Sequence, residues 1–344
     1  MRPPLPLVLG TLLAAAVPTA VLPASDPRAT TPPPVPGPLL DVRNGHAMAY
    51  DSDRERVLLF GGADERQVLG DLWEWDGRRW SLLASEGPPP RTFAALAYDR
   101  ARHRLVLFGG NRVLFGKGGD EETCLGDLWE WYDAAWHEVH ATGPPARAEA
   151  AMTYDRAHRR TLLFGGYRGS GASRERLGDT WAFDGVSWNR VAGPGPQARN
   201  GAAMAFDARR GRVVLFGGSG GPREDTWEWD GVAWRRVDAP TPGRYNSAMA
   251  YDARLHAILR FGGWDGKDRV AETWRYDGRR WTPVPGSGPG PRNHAAMAYD
   301  DKRRVMVLFG GHDGARVFGD TWERSEQWTC RLNQPALPRV DNGH

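Results

Sequence analysis

Glu149 and His294 are the residues whose types and positions could do chemistry. Each lies two residues after an arginine and just before a short apolar run, at the same place in two copies of a repeated segment. The other copies carry Gly45, Phe93, Gly201 and Asn246 there, so these two are the ionisable members of the set. A carboxyl and an imidazole can act as general acid and base when a fold brings them within hydrogen-bond reach. The repeat order puts them in the third and sixth copies, which face each other in a ring. They stand as catalytic candidates, and the reading favours binding over catalysis.

A second set follows a glycine pair. Tyr167, Trp264 and His312 open the dissimilar loops "YRGSGASRERLG", "WDGKDRVAE" and "HDGARVFG", and Arg112 and Arg168 lie in the same kind of loop. Variable loops on a rigid scaffold are where binding concentrates. These five residues are the binding candidates, suited to a protein or glycan partner. His46, His294 and His312 could be weighed as a metal set, but zinc or copper needs three or four converging ligands and no local spacing enforces that. No metal and no cofactor is expected. The chain also lacks Gly-x-Ser-x-Gly, a phosphate-binding glycine loop and His-Glu-x-x-His.

The elements that must position these residues recur six times. An apolar run ends in a glycine pair at Gly61, Gly109, Gly165, Gly217, Gly262 and Gly310, with gaps of 48, 56, 52, 45 and 48 residues. A period near 50 marks a repeat architecture. Each copy holds four apolar pieces, as in "NGHAMAYD", "RVLLFGG", "DLWEWD" and a short piece that starts with tryptophan. Short or alternating apolar runs bounded by Asp-Gly and Gly/Pro clusters read as strands, and the Asp-Gly between the third and fourth suits a hairpin. Each copy is then a four-stranded antiparallel meander. Six meanders that must stack to bury their faces close radially, which predicts an all-β, six-bladed β-propeller. Alternate tryptophans on the third strand would fill the gaps between blades.

An arginine opens every copy (Arg43, Arg91, Arg147, Arg199, Arg244, Arg292) and an acid opens every third strand (Asp71, Asp127, Asp179, Asp225, Glu272, Asp320). Sixfold repetition favours structural pairing of the two sets over a cationic ligand ring.

The repeated "FGG", a variable loop, then "DxWxxD" and a spaced tryptophan resemble the kelch repeat, also found in the propeller domain of galactose oxidase. The resemblance runs from Arg43 to about Cys330 and implies a kelch-type propeller. It implies little about function, because kelch propellers serve as binding platforms, scaffolds and, less often, enzymes. The repeats begin with a first strand and end with a fourth, so the ring closes on packing alone, or "GPLLDV" or the tail from Arg331 adds an edge strand.

The bulk properties set the surroundings. Net charge is +3 with acids and bases mixed, which argues against nucleic acid. A positive start and an apolar, proline-broken stretch predict a signal peptide over 1–24, followed by a proline-rich linker over 25–40, the propeller over 41–331 and a tail over 332–344. The expected protein is secreted or periplasmic, a monomer, and without a membrane span once mature. Cys124 and Cys330 fall in non-neighbouring copies, and two unpaired thiols are preferred. Three functions stand in order: a binding or scaffold propeller using the variable-loop face; a sugar-active enzyme resembling N-acetylneuraminate epimerase, on fold and compartment alone; and a galactose oxidase-like metal enzyme, disfavoured because its copper surroundings have no match here.

Overall fold

The computed structural model describes Met1 and residues 39–114, 123–169, 173–191 and 193–338. The expected signal peptide and nearly all of the expected linker lie outside the described residues, as do residues 339–344 of the tail. Gly37–His344 form one compact unit. In it, six four-stranded antiparallel sheets follow one another in chain order as the blades of a propeller. Among the described residues no helix is long and apolar enough to cross a membrane.

Blade 1 shows how the sequence builds the unit. Its strands are Ala47–Asp51, Arg56–Ala63, Val68–Trp75 and Trp80–Ala84, innermost to outermost. The first turn is closed by Asp51, whose Oδ1 accepts from the backbone N–H of Asp53 and Arg54. Asp76 does the same for Arg78 and Arg79 in the second turn. An aspartate that satisfies two backbone donors makes a tight turn without help from the rest of the fold, which is why this residue recurs at both turns.

The blades pack through their aromatics. Trp73, Trp75 and Trp80 of blade 1 bury themselves with Val307 and Phe309 of blade 6. The Nε1–H of Trp80 donates to Thr321 Oγ1 of blade 6 at 2.9 Å, and Trp234 and Trp281 repeat that bond to Thr180 and Thr226 of their preceding blades. Each blade therefore covers an apolar face that it could not bury alone.

The glycine pair supplies the other seam. A Cβ on Gly61 would lie 2.7 Å from the carbonyl oxygen of Arg91 in blade 2, and the N–H of Gly62 donates to that oxygen at 2.9 Å. Both glycines have positive φ, 63° and 92°. The pair thus lets one blade touch the backbone of the next at a point where a side chain would not fit.

The repeated arginines are structural. Arg43 is fully buried, with Nη1 2.6 Å from Asp71 Oδ1, Nη2 3.1 Å from Oδ2, and a further bond to the Gly61 carbonyl. Asp71 also accepts from Trp73 Nε1 at 2.6 Å. Burial alone would raise the Asp71 carboxyl, but the bonds and charge of Arg43 hold it below its usual range. Blade 5 departs from this pattern. Arg244 makes one 2.7 Å bond to Glu272, whose side chain is half exposed, and the leucine of the other "LFGG" runs is replaced by Arg260. That guanidinium is 1% exposed, 4.3 Å from the Phe216 ring centroid, and donates to the Pro242 carbonyl and Thr241 Oγ1. Burial, then the charge of Arg244, lowers its pKa to about 9.

Neither chain end adds a strand to a four-stranded blade. Leu40, 2% exposed, packs between blades 6 and 1, and Leu337–Pro338 pairs with Arg316–Val317 as a separate ribbon. The closing seam is made by the repeat's own device, the Gly311 N–H donating to the Arg43 carbonyl at 2.9 Å. Cys124 is buried in blade 2 and Cys330 is exposed on blade 6, with no disulfide between them.

Candidate functional site at the loop-side mouth of the channel

The six equivalent positions form a closed ring. Phe93 N–H donates to the Gly45 carbonyl, Glu149 to Phe93, Gly201 to Glu149, Asn246 to Gly201, His294 to Asn246 and Gly45 to His294, at 2.7–3.2 Å. All six residues take left-handed φ between 51° and 63°. For the four that are not glycine this conformation costs about 1–2 kcal/mol each. The hydrogen-bonded girdle over-determines it. The chain turns there so that each side chain meets the channel, around a pocket of about 140 Å³.

Glu149 and His294 both line this pocket, although their blades are opposite each other. Asn246 links them. The Gly314 N–H donates to His312 Nδ1 at 3.2 Å, which leaves the His312 proton on Nε2, 2.9 Å from His294 Nδ1. His294 then carries its proton on Nε2, 2.6 Å from the Asn246 amide. Amide oxygen and nitrogen exchange places by a half-turn, and this network selects the oxygen toward His294 and the nitrogen toward Glu149. Asn246 and Asn200 both hydrogen-bond the Glu149 carboxyl, Asn200 at 2.6 Å. Burial, the largest effect, raises the Glu149 pKa, while Asn200 and the charges of Arg174 and Arg176 restrain the rise. A carboxyl held protonated above its usual range can donate a hydrogen bond or a proton to a ligand.

The binding candidates divide. Tyr167 is 3% exposed, its hydroxyl accepts from Asn111 Nδ2 at 3.1 Å, and burial with the nearby Glu149 charge pushes its pKa up to about 12. His312 is also buried and acts through His294. Trp264 is half-buried on the rim, with Arg269 4.4 Å above its ring and Tyr245 beside it. Arg112 is exposed. Arg168 is exposed and paired with Glu175. His46 lies in the channel wall, edge-on to Phe309. Burial, then Arg43, lowers it to about 3, so it stays neutral. Among the described residues no group of three or more His, Cys, Asp or Glu is arranged to hold a metal ion.

The sequence reading passed over Asn246, Asn200 and the arginines of the rim. Asn246 was visible as a member of the equivalent set but does not ionise. Arg174 stands 4.2 Å over the Tyr167 ring and Arg223 5.4 Å over that of Tyr245. Arg176 reaches Asn200 of the next blade at 3.0 Å. Among the described residues, Arg174, Arg176 and Arg223 have no carboxylate within ion-pair distance.

A family model for the KLHDC2/KLHL20/DRC7 Kelch-repeats domain matches residues 21–189. The chain is a kelch-repeat propeller. The solved structure of YjhT superposes with a TM-score of 0.65 over 85% of this chain and 98% of YjhT, at 15% identity, a likeness of fold. The alpha chain of the flagellar outer-arm dynein of Chlamydomonas reinhardtii is 27% identical over 177 residues, 46% of this chain. The kelch propeller spans 4% of that dynein chain's length.

Proposed function

We propose that this kelch propeller is an exported binding protein that holds a protein or glycan partner at the loop-side mouth of its channel. Kelch propellers generally bind protein partners, and the observation that carries the reading here is the rim. Arginines without carboxylate partners lie over Tyr167 and Tyr245, and Arg269 lies over Trp264, around a pocket floored by Glu149, Asn246 and His294. Flat aromatic and guanidinium surfaces give large contact area at low entropic cost, and polar groups beneath them fix orientation. The test is a thermal-shift screen of the mature chain against sugars, acidic sugars and peptides, followed by calorimetry on any hit. Trp264→Ala and Arg223→Ala should each weaken binding at least tenfold without lowering the melting midpoint by more than a few degrees. Unchanged affinity in both variants rules the rim out.

The second reading is a sugar-active enzyme, favoured by one observation: the protonated Glu149 carboxyl ends a hydrogen-bonded chain that crosses the channel. In this reading Glu149 protonates a ring or glycosidic oxygen and His294 holds Asn246 in place. Mutarotation of N-acetylneuraminate, followed by NMR with wild type and Glu149→Gln, tests it. A rate equal to buffer alone removes the reading.

A further inference from the structure

The opposite mouth of the channel carries its own charged cluster. In each blade the residue after the aspartate that ends the inner strand faces this mouth, giving Ser52, Arg100, Arg156, Ala208, Ala253 and Asp301. Three of the six are charged, and they meet. Asp301 of blade 6 pairs with Arg100 of blade 2 and lies 3.7 Å from Arg156 of blade 3. Blades 3 and 6 are opposite each other, so this cluster crosses the axis. Behind it lies a cavity of about 190 Å³, walled by the inner strands.

The charges there do not balance. Two guanidiniums share one carboxylate, and the other acids of this face are engaged: Asp53 by Tyr98 and His103, Glu55 by Lys302, Asp99 by Arg102 and Asp155 by His158. Arg156 is the less well served of the two, and burial together with the charge of Arg100 lowers its pKa. The three side chains are 27%, 39% and 33% exposed for Arg100, Arg156 and Asp301, which leaves them open to a solute while the cavity behind restricts water. The inner strands are edge strands, so half of their backbone groups point into the cavity and keep it polar.

We propose that this turn-side mouth is a second ligand site, which takes a small oxyanion between Arg100 and Arg156. Guanidinium forks match the geometry of carboxylate and phosphate oxygens, and Asp301 is the internal occupant that the ligand displaces from Arg156. The proposal stands independently of what binds at the loop side.

Titration calorimetry with inorganic phosphate, at constant ionic strength set with chloride, tests it. Wild type should bind saturably. Arg156→Met should lose the binding, and Asp301→Asn should tighten it roughly tenfold, because a like charge close to the anion has gone. All three side chains are partly exposed, so melting midpoints should stay close together and confirm intact folds. No saturable binding in either wild type or Asp301→Asn overturns the proposal. Equal binding in Arg156→Met places the anion elsewhere and overturns it too, and weaker binding in Asp301→Asn removes Asp301 as a competitor.

Discussion

The backbone N–H of Gly311 donates to the Arg43 carbonyl at 2.9 Å, and this bond joins the last blade to the first. It repeats the bond that joins Gly62 to Arg91 within the ring, so the closing seam is chemically the same as the others. A Cβ on the neighbouring Gly310 would lie 2.5 Å from the same carbonyl oxygen, at a φ of 63°. Gly310→Ala should therefore cost on the order of 2–4 kcal/mol, combining the left-handed penalty with a backbone clash. Chemical denaturation measures this, and a loss below about 1 kcal/mol would mean that the seam yields easily.

Buried charge pairs should differ by blade. Asp225 is 2% exposed and binds the fully buried Arg199 through both carboxylate oxygens. Asp225→Asn leaves that guanidinium uncompensated and should cost about 3–5 kcal/mol. Glu272 in blade 5 is 49% exposed. Glu272→Gln should cost less than about 1 kcal/mol, since water already serves the pair. Equal losses in the two variants would contradict the role given to burial.

Arg260 is a cation at a position where the other blades place leucine or its like. Its guanidinium pairs with no carboxylate among the described residues and its pKa is lowered to about 9. Arg260→Leu should stabilise the protein by about 1–3 kcal/mol, the usual sign when a buried charge gives way to an apolar side chain that fits. Differential scanning calorimetry reads the change in midpoint. A lower midpoint would show that the bonds to Thr241 and Pro242 outweigh desolvation.

Two groups of acids should act in opposite directions with pH. Asp71, Asp127 and Asp179 are held below their usual range, so their contribution is complete above the unfolded value near 4 and is lost as pH falls through the lower folded values. Glu149 is raised, so its protonated form is favoured in the fold and stability falls as pH rises from the unfolded value to the folded one. His46, lowered to about 3, adds a loss that begins below about pH 6.5. Glu149→Gln should be more stable than wild type at neutral pH, with the difference vanishing below about pH 4. A constant difference across pH would show that Glu149 titrates normally.

The fold was legible because each blade is local. The turn aspartates, the glycine pair and the alternate tryptophans act within one repeat or against the next, and six copies at a period near 50 disclose a ring. The pairing of each opening arginine with the acid of its third strand was legible for the same reason. The sequence also determined which six residues share the channel mouth, since repeat position maps directly onto position in the girdle. What only the tertiary structure decided lies across the axis. Tyr167 turns inward and Trp264 outward from the same repeat position, because the loops that follow them fold differently. Asn246 joins blade 6 to blade 3, and Asp301 reaches Arg156, through contacts between copies far apart in the chain. No periodicity encodes such contacts, because they depend on the width of the closed channel and on which of six similar positions carries a side chain long enough to span it.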